Sequence, residues 1–292
     1  MTTDLGNHTV LASVLAFNNN PAALRTLLCL RAQTVAPTSV VVVDNASEPS
    51  FESYLAERGV DLESHERVVR EPSNRGVGAG HNRGLREAIA EEWEYVLLLE
   101  HDTFVTPDCV ETMLRYSLSD PKPSLAAVYP VLARNQYEAT LLQRGEGLPG
   151  ERVVTRPQRG HVITFNALLL PVALATRAEP IREDLVVGFE DYEYMKSLER
   201  AGGHVLVTTE VLVIHPNRGL GRYPEPQSPI RCFYAVRNFL WVRREETGRL
   251  PLREAARALP GVARDLARLD RHLAMARIRG IAAGLRGSES AV

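Results

Sequence analysis

The feature that most constrains the fold is a fourfold alternation of short apolar runs with helical segments within the first 120 residues. Runs such as Val40–Val43 and Tyr95–Leu99 are apolar at every position, which is typical of strands buried on both faces of a parallel sheet. Each run is followed by a segment whose apolar residues have helical spacing. This βαβαβαβα pattern predicts an α/β fold, a Rossmann-like and mostly parallel central sheet with helices on both faces.

The later sequence predicts a more mixed second half. The expected strands are Leu125–Leu132, Tyr137–Gln143, His161–Leu170 and His204–Ile214, with a mobile loop over Gly145–Gln158 and a helix over Glu190–Ala201. We expect residues 1–245 to form the catalytic domain, with a nucleotide-sugar half to about residue 120 and an acceptor half after it. Residues 246–292 are expected to form an amphipathic helical extension, either one helix or two helices broken near Pro260-Gly261.

Composition narrows the class of protein. The chain has 292 residues and a net charge of −2, and its three cysteines lack CxxC spacing, so free thiols in a reducing compartment are expected. No basic and apolar leader is visible at the start, and no apolar run approaches the ~20 residues that span a bilayer. We therefore expect a cytoplasmic protein with no nucleic-acid partner. Residues 231–286, in contrast, carry a net charge of +8.

Two acidic residues stand at the end of the fourth apolar run. Glu100 and Asp102 are two residues apart in Leu97-Leu98-Leu99-Glu100-His101-Asp102. Ligands of open α/β sheets bind beyond the carboxyl ends of strands, and a divalent cation shared with a diphosphate prefers oxygen ligands. This stretch alone leaves open a solvated strand end followed by a helix cap.

Two further loops carry polar or glycine-rich sequence at strand ends. One is Asp44-Asn45-Ala46-Ser47, which follows the run of valines, and the other is the segment from Asn74 to Gly84, which contains four glycines. Glycines allow close approach of backbone to a ligand, and the helix that follows offers its N-terminus to an anion.

In this order the motifs resemble inverting family 2 glycosyltransferases of the GT-A fold. The resemblance covers about residues 9–245 and rests on Val-Asp-Asn-x-Ser, Asn-x-Gly-x-Gly-x-Gly-x-Asn-x-Gly and the acidic x-Asp strand end. It continues with Phe189-Glu190-Asp191-Tyr192-Glu193 and with His215 after the last strand. Tyr234-x-x-Arg237-Asn238 resembles the rhamnosyltransferase and galactofuranosyltransferase branch.

The resemblance implies a role for each candidate residue on the donor side. Asp44 would accept a hydrogen bond from a pyrimidine N3–H, Phe17 would pack on the base, and Arg75 would reach the base or the diphosphate. Asp102 and His215 would bind Mg²⁺ or Mn²⁺, the latter because imidazole is a softer ligand than Mg²⁺ usually takes. Glu100 would contact the sugar or a bound water.

On the acceptor side the resemblance makes Asp191 the general base. From the residues alone, Glu190, Asp191 and Glu193 are better explained as an acidic first helical turn, and the resemblance favours the catalytic role. Arg237 would lie close to the diphosphate, and simple helix packing is the alternative there. A nucleotide-binding dehydrogenase is the competing class, suggested by Gly76-x-Gly78-x-Gly80, although this spacing differs from GxGxxG.

The resemblance leaves several partners open. The donor would be dTDP-rhamnose or, alternatively, UDP-galactofuranose or another UDP-sugar. The acceptor would be a glycan, a lipid-linked glycan or a small natural product. The C-terminal helix either packs on its own domain or on a partner subunit of a homo-oligomer, or it lies on the inner face of an anionic membrane.

Overall fold

The predicted α/β fold is confirmed in the computed structural model of the chain, which describes residues 5–133, 164–216 and 228–287. The described strands form one sheet in the order β3-β2-β1-β4-β7-β6-β8-β5. Six of these strands run in one direction, and β5 and β7 run in the other. The strands are β1 (Val10–Ala16), β2 (Ser39–Asp44), β3 (Glu66–Arg70), β4 (Tyr95–Glu100), β5 (Phe104–Val105), β6 (Ala126–Ala133), β7 (Leu168–Pro171) and β8 (His204–Ile214).

The predicted strand Tyr137–Gln143 and the predicted loop Gly145–Gln158 lie outside the described residues. The described part of the chain contains nine α-helices. They are α1 (Asn20–Arg31), α2 (Phe51–Glu57), α3 (Val77–Ala90), α4 (Cys109–Leu118), α5 (Val172–Ala175), α6 (Glu190–Arg200), α7 (Pro229–Thr247), α8 (Leu252–Ala267) and α9 (Arg271–Arg286).

Helices cover both faces of the sheet, as the alternation predicted. On one face Val14 of β1 belongs to a buried cluster with Leu27 of α1 and Met113 of α4. The next residue back, Ser13, points to the opposite face because side chains alternate along a strand. There α3 packs so closely that a Cβ on Gly84 would lie 1.9 Å from the Ser13 hydroxyl oxygen. The glycine is therefore required by the contact between this helix and the sheet.

The described chain divides into two compact units. The first comprises residues 1–75, 79–181 and 191–218, and the second comprises residues 76–78, 182–190 and 219–292. In the second unit α7 packs against α9 at two glycines, since a Cβ on Gly280 or Gly284 would lie within 2.7 Å of an α7 atom. This contact groups α7 with the C-terminal helices, whereas we expected the boundary near residue 245. The assignment of residues 1–245 to a catalytic domain stays a prediction.

The extension forms two helices, so a single helix is wrong, and the break does not lie near Pro260-Gly261. Helix α8 continues through Pro260. Proline removes one helical hydrogen bond, but here the carbonyl that loses its partner lies on an exposed side of the helix, where water can replace it. The break comes later, where Leu269 has a φ of +60° and the Asp270 carboxylate accepts a hydrogen bond of 2.9 Å from the Leu273 amide. That contact caps the start of α9.

Helix α4 begins at Cys109, so Pro107 precedes the helix. The three cysteines are free. None of the described helices is both long enough and apolar enough to cross a membrane.

Candidate metal and donor site

Three potential metal ligands converge at one edge of the sheet. Glu100, Asp102 and His215 each place one ligand atom within 4.8 Å of the others. The Nε2 atom of His215 lies 3.6 Å from the Asp102 Oδ1 atom. The predicted pairing of Asp102 with His215 therefore agrees with this geometry, although the two residues are far apart in the sequence.

The short strand β5 explains why these residues meet. Immediately after Asp102 the chain pairs with the end of β8, with Phe104 opposite Ile214 and Val105 opposite Val213. The backbone amide of His215 then donates a hydrogen bond of 2.7 Å to the carbonyl of Ala133 at the end of β6. The sequence did not predict β5, because two residues carry no periodicity.

The donor set fits a divalent cation. Two carboxylates and one imidazole suit Mn²⁺ well, and Mg²⁺ takes the carboxylates more readily than the imidazole. His215 is 9% exposed, and its Nδ1 atom is buried without a hydrogen-bond partner among the described residues. Glu100 lies close enough to be a third ligand of the cation, whereas we expected it to contact only the sugar or a bound water.

Asp44 is fully buried at the end of β2 and caps the helix that follows. Its carboxylate accepts hydrogen bonds from the backbone amides of Ser47 at 2.8 Å and Phe51 at 3.0 Å. The guanidinium of Arg70, at the end of β3, lies 2.6 Å away. These contacts give Asp44 a role in holding the loop between β2 and α2. Its predicted contact with a pyrimidine stays a prediction.

The loops that follow β1, β2 and β3 are joined by side-chain hydrogen bonds. The Asn18 side chain accepts a hydrogen bond from the Glu48 amide at 2.8 Å, and the Asn45 amide group donates to the Asn74 side chain at 2.9 Å. Phe17, beside Asn18, is 38% exposed, and Arg75, beside Asn74, is exposed. Phe17 and Arg75, the two residues predicted to contact the donor, therefore lie on loops at the carboxyl edge of parallel strands. Ligands of such sheets bind at this edge.

Asp191 lies in the first turn of α6. Burial raises the pKa of its carboxyl from 3.8 to about 6, although a hydrogen bond from the Tyr192 amide opposes the shift. The amide nitrogen lies 2.7 Å from the Asp191 Oδ1 atom. A carboxylate with a pKa near 6 is a stronger base than an exposed one and is still ionised at neutral pH. This shift of the Asp191 pKa could not be predicted from the sequence alone, because it depends on burial.

The loop that precedes Asp191 is held by two α7 residues of the Tyr-x-x-Arg-Asn segment. The Asn238 side-chain amide donates to the carbonyls of Leu185, Val187 and Gly188 at 2.7–3.1 Å. Arg237 is fully buried and donates to the Asp184 carbonyl. The predicted placement of Arg237 near a diphosphate stays a prediction, and these contacts show that it also binds protein backbone.

Gly76, in the glycine-rich segment, contacts the same loop. Its φ is +97°, and a Cβ at this position would lie 2.3 Å from the Val186 carbonyl oxygen. The next amide, that of Val77, donates to this carbonyl at 2.8 Å. Both the backbone conformation and the close approach therefore require glycine. The sequence indicated close approach to a ligand, and the structure shows close approach to protein.

These features define an α/β protein with a candidate divalent-cation site at the carboxyl edge of its sheet and a half-buried carboxylate, Asp191, with a raised pKa. A comparison with protein families matches residues 13–170, slightly more than half of the chain, to Glycosyl transferase family 2. The chain belongs to this family and is a glycosyltransferase. The dehydrogenase alternative is therefore wrong. No match was found among curated proteins.

Solved structures share the GT-A fold at low identity. The mannosyltransferase PcManGT from Pyrobaculum calidifontis, in complex with GDP-Man and Mn²⁺, is 18% identical over 97% of this chain and 88% of its own, with a TM-score of 0.57. TarS residues 1–349 from S. aureus, in complex with UDP-GlcNAc, is 16% identical over 80% of this chain and 65% of its own, with a TM-score of 0.53. GalNAc-T7 with UDP, GalNAc and Mn²⁺ is 13% identical over 80% of this chain and 47% of its own, with a TM-score of 0.51.

Proposed function

We propose that this enzyme is an inverting, metal-dependent glycosyltransferase that moves a sugar from a nucleotide diphosphate to an acceptor hydroxyl. The convergence of Glu100, Asp102 and His215 carries the proposal. Similar structures that contain Mn²⁺ support dependence on a divalent cation. When bound there, the cation would neutralise negative charge on the leaving diphosphate.

In the proposed reaction Asp191 removes the proton from the acceptor hydroxyl. The hydroxyl oxygen attacks the anomeric carbon on the face opposite the diphosphate, and the bond from that carbon to the diphosphate oxygen breaks. The configuration is inverted because a single displacement occurs. A base whose pKa lies near the working pH is the best compromise between ionisation and basicity, and burial gives Asp191 this property.

For the donor we propose dTDP-rhamnose, with UDP-galactofuranose as the second candidate. The support is the Tyr234-x-x-Arg237-Asn238 segment and the His215-Pro216 pair, which resemble the rhamnosyltransferase branch. Asp44, Phe17 and Arg75 would recognise the nucleotide. Structures of this fold hold both GDP-sugars and UDP-sugars, so the fold alone does not select the base.

A panel of nucleotide sugars tests this assignment. Purified enzyme with Mn²⁺ is incubated with dTDP-rhamnose, UDP-galactofuranose, UDP-glucose and GDP-mannose, and release of the free nucleotide diphosphate is measured. We expect dTDP-rhamnose to be consumed fastest. Preferred consumption of UDP-galactofuranose selects the second candidate, and preferred consumption of GDP-mannose contradicts both donors and the proposed role of Asp44.

We propose an acceptor hydroxyl on a glycan, a lipid-linked glycan or a small natural product. The enzyme would act in the cytoplasm, and at the inner face of the cell membrane where its acceptor is lipid-linked. Adding candidate acceptors to the donor assay tests this point, since a true acceptor accelerates release of the nucleotide diphosphate and gains the mass of one sugar.

A further inference from the structure

Exposed apolar side chains are concentrated on the C-terminal helices. In the part of the chain that the structure describes, twelve large apolar residues are exposed, and nine of them lie between residues 230 and 278. Six of these belong to α8, α9 or the turn between them: Leu252, Leu259, Leu266, Leu269, Met275 and Ile278. Scattered apolar residues on a surface are ordinary, whereas a contiguous patch indicates an interaction site.

Helix α8 has an apolar stripe of exposed residues. Leu252, Ala256, Leu259, Ala263 and Leu266 are all exposed, and their spacing of four, three, four and three residues aligns them along one side of the helix. The three leucines are 51–62% exposed. Sixteen residues make a helix about 24 Å long, and the stripe runs along nearly all of it.

A row of arginines flanks this stripe. Arg253, Arg257, Arg264 and Arg268 are exposed and lie about 120° around the helix from the leucines at 100° per residue. The long arginine stem allows the guanidinium to reach a charged surface while the stripe faces an apolar one.

The acidic residues of α8 are on its third side, which faces the protein. Asp265 is buried and pairs with Arg277 of α9 at 3.0 Å. Glu254 lies 3.9 Å from Arg243 of α7. The buried Val262 occupies the same side. The exposed arc of the helix therefore carries leucine, alanine, proline and arginine, with no carboxylate.

We propose that α8 binds an anionic membrane surface, with its leucine stripe in the boundary between head groups and acyl chains and its arginine row on the phosphates. An exposed apolar face flanked by arginine is the pattern of helices that lie in a membrane interface. The attraction between arginine and anionic lipid adds about 1 kcal/mol per residue near the surface.

A second copy of the chain fits this stripe poorly. If two α8 helices paired antiparallel through the stripe, the same flank of each helix would meet, and the two arginine rows would repel each other. If they paired parallel, the arginine row of one helix would face the opposite flank of the other helix. That flank is already packed on α7 and α9 of its own chain. Charge therefore favours lipid over self-association.

Vesicle sedimentation tests the proposal with the full chain carrying Asp191→Asn, so that the result does not depend on the proposed catalysis. Vesicles contain either phosphatidylcholine alone or equal parts phosphatidylcholine and phosphatidylglycerol. We expect binding to the anionic vesicles, weakened by salt, and little binding to the neutral ones. Leu259→Gln with Leu266→Gln should weaken binding more than tenfold. Arg253→Gln should weaken it roughly fivefold, the equivalent of about 1 kcal/mol.

Leu28→Gln with Ile89→Gln is the matched control, because these residues are 47% and 39% exposed on the first unit. Its binding should equal that of the parent, and thermal unfolding should verify that every variant is folded. Three outcomes would overturn the proposal: no binding to anionic vesicles, equal binding to both lipids, or equal loss in the control. A dimer in sedimentation velocity that Leu259→Gln dissociates, without vesicle binding, would assign the stripe to a second copy.

Discussion

Replacing Asp191 by Asn should remove catalysis and stabilise the folded enzyme at the same time. Burial raises the pKa of this carboxyl from 3.8 to about 6, and one pKa unit corresponds to about 1.4 kcal/mol. Keeping the carboxylate ionised in the folded state therefore costs up to about 3 kcal/mol above pH 6. Asparagine keeps the shape of the side chain without the charge.

The direction in which stability changes with pH follows from the linkage between protonation and folding. Because the pKa is higher in the folded than in the unfolded chain, the folded state binds the proton more tightly. The contribution of Asp191 to stability is then greatest below pH 4 and declines as the pH rises through 6. Asp191→Asn should raise the Tm by several degrees at pH 8, and this gain should vanish near pH 4.

Catalysis should show the opposite dependence. Turnover of the parent enzyme should fall about tenfold for each pH unit below 6, because the base becomes protonated. Asp191→Asn should lower kcat by about 10²–10⁴ while leaving donor affinity unchanged. The assay is release of nucleotide diphosphate across pH 4.5–8.5, combined with thermal unfolding at each pH.

Glu199→Gln is the matched control, because it removes an exposed carboxylate from the same helix and should change neither property. Glu190→Gln should impair turnover less than Asp191→Asn, since neighbouring side chains point about 100° apart on a helix. Loss of turnover in Glu190→Gln with an active Asp191→Asn would move the base by one residue. Normal turnover in both would remove this segment from catalysis.

Three further variants and one binding measurement test other parts of the structure. Gly76→Ala should destabilise the fold by about 1–3 kcal/mol in denaturant titration, because its φ is positive and its Cβ would meet the Val186 carbonyl; unchanged stability would contradict this close approach. Arg70→Ala should cost about 1–3 kcal/mol, since it removes the partner of the buried Asp44 carboxylate, and an unchanged unfolding midpoint would show that the two backbone amides suffice. Asn238→Ala should lower kcat more than it raises the donor KM, because it frees three carbonyls of the loop before the base; an equal effect on both would argue for a role in donor binding. In calorimetry dTDP should bind at least roughly tenfold more tightly than GDP, the value of one charge-assisted hydrogen bond, and equal affinities would contradict the nucleotide contact of Asp44.

The sequence predicted the parts of the fold that depend on local patterns. Strand β8 has the predicted limits. Strand β4 contains the whole predicted run Tyr95–Leu99, because a continuous apolar run marks a strand buried on both faces. The Asp102–His215 pairing followed from the family resemblance, since neither residue has a local pattern that identifies its partner.

The remaining features depend on tertiary contacts. Helix α8 continues through Pro260 because the carbonyl that loses its helical hydrogen bond is exposed to water. No local sequence pattern predicts this exposure. The buried Asp44 carboxylate pairs with Arg70, a residue of the neighbouring strand, and no local pattern identifies that partner. Glu100 enters the group of ligands because β5 pairs with β8, and a two-residue strand has no sequence signature. The Asn238 contacts depend on a loop some fifty residues earlier in the chain.

The dependence of turnover on a divalent cation tests the central claim most directly. Release of nucleotide diphosphate is measured after removal of metal with EDTA and again during titration with Mn²⁺, for the parent enzyme and for Asp102→Ala and His215→Ala. We predict that EDTA abolishes turnover of the parent and that Mn²⁺ restores it. We also predict that Asp102→Ala stays inactive at every concentration and that His215→Ala needs more Mn²⁺ than the parent. Full turnover of the parent in EDTA, or normal turnover of Asp102→Ala, would contradict the metal-dependent mechanism.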